Sequence, residues 1–169
     1  MRLAYTMTEG RGALDPLLHA VAGDASARGL RLAGIVQINR DRPGDRCDMD
    51  ALVLPDGPEV RISQSLGPAA RGCRLDPEGL ETAVAAAEAR LLAGADLLIV
   101  NKFGKQEAAG RGFRPLIALA LERGTDVLVG VNALNLDALL DFAGDLATRL
   151  PAERDALLSW AVAAREGAA

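Results

Sequence analysis

The chain has 169 residues, half of them apolar, with 19 Lys plus Arg against 23 Asp plus Glu and a formal net charge of -4. That balance excludes a general nucleic-acid binder, which carries a basic stripe, and five aromatic residues supply no stacking platform for bases. No apolar run approaches the ~20 residues of a membrane span, and Met1-Arg2-Leu3-Ala4-Tyr5 reads as a strand rather than a secretory leader, so the expectation is a cytoplasmic protein, one domain over residues 1–169, with no membrane insertion.

In chain order, Leu3 to Thr8 reads as a short strand and is followed by the Gly-rich turn Thr8-Glu9-Gly10-Arg11-Gly12. Leu14, Leu17, Leu18 and Val21 recur at helical spacing, which predicts a helix from about Asp15 to Arg28, with Pro16 in its first turn and Gly29 past its end. Leu32 to Asn39 predicts a second strand. Residues 40–74 differ in character, with six acids, six arginines and frequent Gly and Pro. Within them Asp50 to Leu54 and Glu59 to Ser63, around Pro55-Asp56-Gly57-Pro58, predict a small antiparallel β-hairpin insertion.

Asp76-Pro77 supplies an N-cap and a first-turn proline for a helix to about Ala93, stopped by Gly94. Asp96 to Asn101 and Asp126 to Val131 read as buried strands, with a helix from Phe113 to Arg123 between them. Two closing helices follow, Asn135 to about Leu146 and Pro151 to Glu166. Strands alternating with helices predict an α/β fold with a mainly parallel sheet flanked by helices. The best strands end on polar residues: Thr6 and Thr8, Gln37 and Asn39, Asn101 and Lys102, Asn132. Ligands of open parallel sheets sit beyond the C-terminal strand ends, so a site is expected at that edge.

Two features there carry chemistry. Strand, Gly10-Arg11-Gly12 and helix make the layout of a phosphate loop, in which backbone N–H groups and the helix N-terminus face an anion. A working phosphate loop continues with Lys and then Ser or Thr, but Ala13 and Leu14 occupy those places, and Asp15 would repel a phosphate unless it serves only to cap the helix. The second feature is a composition oddity. Seventeen of the cations are Arg and only two are Lys, Lys102 and Lys105, three residues apart. From Asn101 to Arg114 there are four cations and one acid, a local +3 within an acidic chain, placed where a strand meets a helix and suited to receiving an oxyanion. A guanine-reading Asn-Lys-x-Asp is disfavoured, because Gly104 stands at the fourth position, where the carboxylate that pairs with the base is absent.

The run Asn101-Lys102-Phe103-Gly104-Lys105-Gln106-Glu107, followed by Phe113-Arg114, resembles the small cancer-related type of P-loop nucleoside triphosphatase, where a strand ends in Asp-Glu-x-Gly-Lys-Met-Glu before a helix near Phe-Arg. The resemblance spans roughly residues 3 to 132 and implies a P-loop-NTPase-like fold. It places the family's loop Lys and Thr on Ala13 and Leu14, and its Walker-B acids on Asn101 and Lys102, so both Walker motifs are degenerate. Asn-Lys-Phe-Gly-Lys-Gln-Glu-Ala, Ala-Arg-Gly-Cys-Arg-Leu-Asp and Gly-Val-Asn further resemble an uncharacterised bacterial family encoded beside molybdenum or vanadium transport genes. That likeness implies a part in molybdate handling.

The expectation is a non-hydrolysing accessory protein that binds molybdate, tungstate, phosphate or a nucleotide. The anion-binding residues are Gly10, Arg11 and Gly12 through backbone N–H groups, and Lys102, Lys105, Arg114 and, at the margin, Arg71 as cations. Asn101 and Asn132 supply neutral hydrogen bonds. Partners are the small oxyanion or nucleotide, with a second copy of the chain or a molybdenum transport or cofactor protein as open candidates. Two other readings stay open: a nucleoside triphosphatase with rearranged catalytic residues, and a protein-interaction module without a small ligand. Cys47, Cys73 and His19 match no zinc spacing and read as reduced thiols and a surface histidine, so no metal site is expected.

Overall fold

The computed structural model describes residues 1–10, 12–42, 46–64 and 74–166. Arg11, Arg71 and Cys73 lie outside the described residues, as does the thiol of Cys47. Seven strands form one sheet: β1 (Leu3–Thr6), β2 (Leu32–Arg42), β3 (Arg46–Val53), β4 (Glu59–Arg61), β5 (Leu97–Phe103), β6 (Asp126–Val131) and β7 (Ala147–Arg149), in the order β4-β3-β2-β5-β6-β1-β7. The pairs β2–β5, β5–β6, β6–β1 and β1–β7 are parallel, while β3 and β4 extend one edge antiparallel. The fold is therefore α/β with a mainly parallel sheet and an antiparallel extension.

Helices cover both faces. The first helix, α1 (Leu14–Ala27), and the last, α6 (Arg154–Glu166), pack on one face through Leu18, Val21, Leu157 and Ala161 against Leu97, Ile99 and Leu128. On the other face α2 (Pro77–Gly94), α4 (Arg114–Glu122) and α5 (Leu136–Ala143) cover Leu98, Val100, Phe103 and Val129. The continuous apolar runs of β5 and β6 follow from this, since a parallel strand covered on both faces has no solvent side. Asp76 caps α2 as expected, its carboxylate accepting the Glu78 N–H at 3.1 Å.

Several boundaries differ from those the sequence predicts, each for a physical reason. The main antiparallel hairpin is β2 with β3, paired from Ile35↔Val53 to Arg42↔Arg46, and β3 with β4 adds only three pairs. Cross-strand ion pairs tie these edge strands, Arg40 of β2 with Asp50 of β3 at 3.4 Å and Arg61 of β4 with Asp48 of β3 at 3.2 Å. The strand expected to stop at Asn101 continues as β5 through Lys102 to Phe103, whose buried ring is stacked on Phe142. A one-turn helix, α3 (Lys105–Ala108), and the three-residue edge strand β7 are too short to show a period. The α1 helix starts at Leu14, with Ala13 rather than Asp15 at its cap.

One close approach sets the geometry of the site. A Cβ on Gly130 in β6 would lie 2.2 Å from the Asn101 carbonyl oxygen and 2.6 Å from Leu14 Cδ2. Only glycine there lets the start of α1 settle onto the C-terminal ends of β5 and β6. No described helix is long and apolar enough to cross a membrane.

Candidate functional site

The settled N-terminus of α1 brings Asp15 over the strand ends. Asn101, 1% exposed, spans two elements: its Nδ2 donates to Asp15 Oδ1 at 2.8 Å, and its Oδ1 accepts the Gln37 backbone N–H at 2.8 Å. Asn39 Nδ2 donates to Asp15 Oδ2 at 2.7 Å, and Gln37 Nε2 donates to Asn39 Oδ1 at 2.8 Å. Four side chains from α1, β2 and β5 thus form one hydrogen-bonded chain in which both carboxylate oxygens have amide donors. Strand alternation explains it, since Gln37 and Asn39 are two apart on β2 and Asn101 continues the α1-facing series Leu97, Ile99.

On the resemblance drawn from the sequence, Leu14 would fall at the hydroxyl position and Asn101 and Lys102 at the acid positions of a P-loop magnesium site. Magnesium does not fit these residues: leucine, asparagine and lysine offer it no anionic ligand, and both oxygens of the neighbouring Asp15 already accept amide protons. Gly10 and Gly12 have φ of 83° and 86°, and a Cβ at either would meet nothing within 4 Å.

Asn101, Lys102 and Lys105 come together along one small cleft of about 70 Å³, open to solvent, on the α2 side of the sheet edge. Its walls are Ile35 and Gln37 from β2, Ile62 after β4, Leu75 before α2, Leu80 in α2, Gly104, Glu107 and Phe113. Both lysines are exposed, and neither pairs with a carboxylate among the described residues. The acid in this wall is turned away from them. Glu107, 3% exposed, accepts the Gly104 N–H at 2.9 Å through Oε2 and the Phe113 N–H at 3.0 Å through Oε1. Burial, above all, pushes its carboxyl above the usual glutamate range, against the pull of those backbone bonds. Glu107 therefore staples the two ends of the Gly104–Phe113 loop and holds the lysine segment in place.

The remaining candidates lie apart from the cleft. The Arg114 guanidinium sits 4.9 Å from the Phe142 ring centroid in a cation–π contact. Asn132 ends β6 by capping the short 3-10 turn Ala133–Asn135, its Oδ1 accepting from Asn135 N at 3.1 Å and from Asn135 Nδ2 at 2.9 Å. Two features were not visible in the sequence as parts of a site. The apolar wall joins Ile62 of the predicted insertion, Leu75 at its end and Leu80 of the following helix, segments with no sequence signal linking them to the lysines, and the role of Glu107 needs the loop's closure to be seen.

The fold has close counterparts among solved structures. A human cancer-related nucleoside triphosphatase superposes with a TM-score of 0.63 at 19% identity, over 99% of this chain and 98% of that one. THEP1 from the hyperthermophile Aquifex aeolicus gives 0.65 at 17%, over 94% and 95%. The P-loop-NTPase-like fold is thereby established. By sequence, the chain is 39% identical over 160 residues to a protein of Bradyrhizobium diazoefficiens (strain USDA 110) named Molybdenum import ATP-binding protein ModC 2. The match takes in 94% of this chain but 18% of that protein's length. Residues 3–160 match the model of one family, and the chain belongs to it: the family described as Protein of unknown function (DUF2478).

Proposed function

We propose that the chain is a non-hydrolysing accessory protein that holds a tetrahedral oxyanion, free or as the phosphate of a nucleotide, in the service of molybdenum handling. The observation that carries this reading is the Asp15–Asn101 hydrogen bond at 2.8 Å. On the resemblance, it joins an acid position, Asn101, to the residue that follows the hydroxyl position, Leu14, and the next residue, Lys102, would turn a second acid position into a cation. Hydrolysis in a P-loop site leans on magnesium to neutralise charge as it develops on the phosphate. Here the protein's own ammonium groups carry the positive charge. Lys102 and Lys105 would bind the oxyanion, and Asn101 with Gln37 would keep Lys102 at the cleft mouth by fixing the end of β5. The molybdenum assignment is supported by the name of the Bradyrhizobium relative, whose matching segment is a small part of a longer protein.

Calorimetry with molybdate, tungstate, sulfate and ATP, each without and with magnesium, tests the reading alongside phosphate release from ATP and GTP. The expected result is binding that does not require magnesium, is lost on replacing both lysines by alanine, and is accompanied by no turnover. Magnesium-dependent turnover that survives Lys102→Ala would overturn it.

A further inference from the structure

A bare oxyanion does not account for the cleft beside the two lysines. Molybdate or inorganic phosphate is strongly hydrated and gains nothing from apolar walls. Yet Lys102 and Lys105 border a cleft whose walls are largely Ile62, Leu75, Leu80 and Phe113. The acid in that wall, Glu107, spends both oxygens on backbone N–H groups, so the cleft presents cations and apolar surface together. Small-molecule sites have this composition: an apolar body pocket with a few polar groups that fix orientation.

We infer that the cleft between α2 and the Lys102–Lys105 segment binds an organic phosphate monoester, its dianionic phosphate on the two ammonium groups and an apolar or aromatic body against Leu75, Leu80 and Phe113. This inference rests on the reading that the lysine pair takes an oxyanion, and adds the class of molecule that carries it. Two ammonium groups match a dianion more closely than the single charge of a carboxylate. The body enters along the Leu75 side, because Leu75 is half-buried at the rim whereas Ile62, Leu80 and Phe113 form the floor at 3%, 5% and 1% exposure. No bond is made or broken; the site is one of recognition.

Calorimetric titration of the whole chain with naphthyl phosphate, naphthol, inorganic phosphate and molybdate tests it. Naphthyl phosphate should bind at least about ten-fold more tightly than either inorganic anion, the increment expected from covering the exposed apolar wall. Leu75→Asn should erase that preference and leave inorganic phosphate unaffected, and Lys102→Ala with Lys105→Ala should abolish binding of the ester. If inorganic phosphate or molybdate binds as tightly as naphthyl phosphate, the inference fails while the oxyanion reading stands. If naphthol equals its phosphate ester, or the ester ignores the lysine substitutions, the cleft is an apolar site and the inference is overturned. The wild-type comparison alone decides the first of these, so the test does not depend on a variant folding.

Discussion

The two halves of the sheet edge have met the same problem in opposite ways. On the α1 side, the polar side chains over the strand ends bond to one another: Asp15 is held by Asn101 and Asn39, and Asn101 accepts the Gln37 backbone N–H. On the α2 side, Lys102 and Lys105 have no described carboxylate partner, and the neighbouring acid is buried in backbone hydrogen bonds. Only two residues separate the clamp at Asn101 from Gly104, yet one side is closed chemistry and the other is open. One sheet edge can thus satisfy its polar groups internally at one strand end and present free charge one strand position along.

The sharpest way to break the closed side is sterically. Gly130→Ala puts a methyl group into the Asn101 carbonyl and Leu14, lifting α1 from the sheet and parting Asp15 from Asn101. Overpacking of backbone against backbone should cost about 3 kcal/mol or more, read as a fall in the urea midpoint. A chemical break is gentler. Asn101→Asp removes the amide donor and sets a second carboxylate against Asp15 in a buried place, for a loss of about 2 to 3 kcal/mol at neutral pH. Burial and the charge of Asp15 would raise the new carboxyl above its unfolded value. Its penalty is therefore full above the folded value and vanishes below the unfolded one, so the gap to wild type should narrow between pH 7 and pH 5 in paired urea titrations. An unchanged gap would mean that Asp15 and Asn101 are not coupled.

How much of this was legible in the sequence depends on the kind of signal. The parallel core was plain, because buried strands such as Asp126 to Val131 are runs of apolar residues between breakers, and β6 was predicted to the residue. The P-loop-like layout was legible from the turn and the Asn101 to Glu107 run. What escaped was whatever depends on distant pairing. The antiparallel extension reads in sequence as a hairpin of 50–54 with 59–63, whereas its longer ladder pairs β2 with β3, and ion pairs among Arg40, Asp48, Asp50 and Arg61 tie β2, β3 and β4 together. Asp15 read as a group that would repel a phosphate or cap α1, whereas its partners are 24 and 86 residues away. The lysines were noticed only because every other cation is Arg, and that signal gave their position but not the apolar wall facing them.

Glu107 ties the open side down, and its expected effect is smaller. Glu107→Gln keeps the shape but turns an amide nitrogen toward a backbone N–H, leaving either Gly104 or Phe113 without an acceptor, at a cost of about 1 to 2 kcal/mol. The pH dependence has a fixed sign. The folded carboxyl is raised by burial, so as pH rises from the ordinary glutamate range the unfolded chain loses its proton first. The stability Glu107 contributes is complete below that range and declines through the window ending at the raised folded value. The advantage of wild type over Glu107→Gln should therefore be greatest at acid pH and shrink toward neutrality, in a difference that cancels the other carboxylates.

The smallest effect on stability discriminates best between the two sides. Lys102→Ala with Lys105→Ala removes two exposed side chains that form no described ion pair, so unfolding should shift by no more than about 0.5 kcal/mol. The segment around them should persist, because its closure rests on Glu107 and on the buried Phe103 and Phe113. Affinity for an oxyanion should fall steeply in the same protein, since no other cation lines the cleft among the described residues. Affinity lost with stability kept would separate the ammonium groups from the architecture that displays them. Stability lost as well would mean that the lysines are partnered, and the contrast between a closed and an open side would not hold.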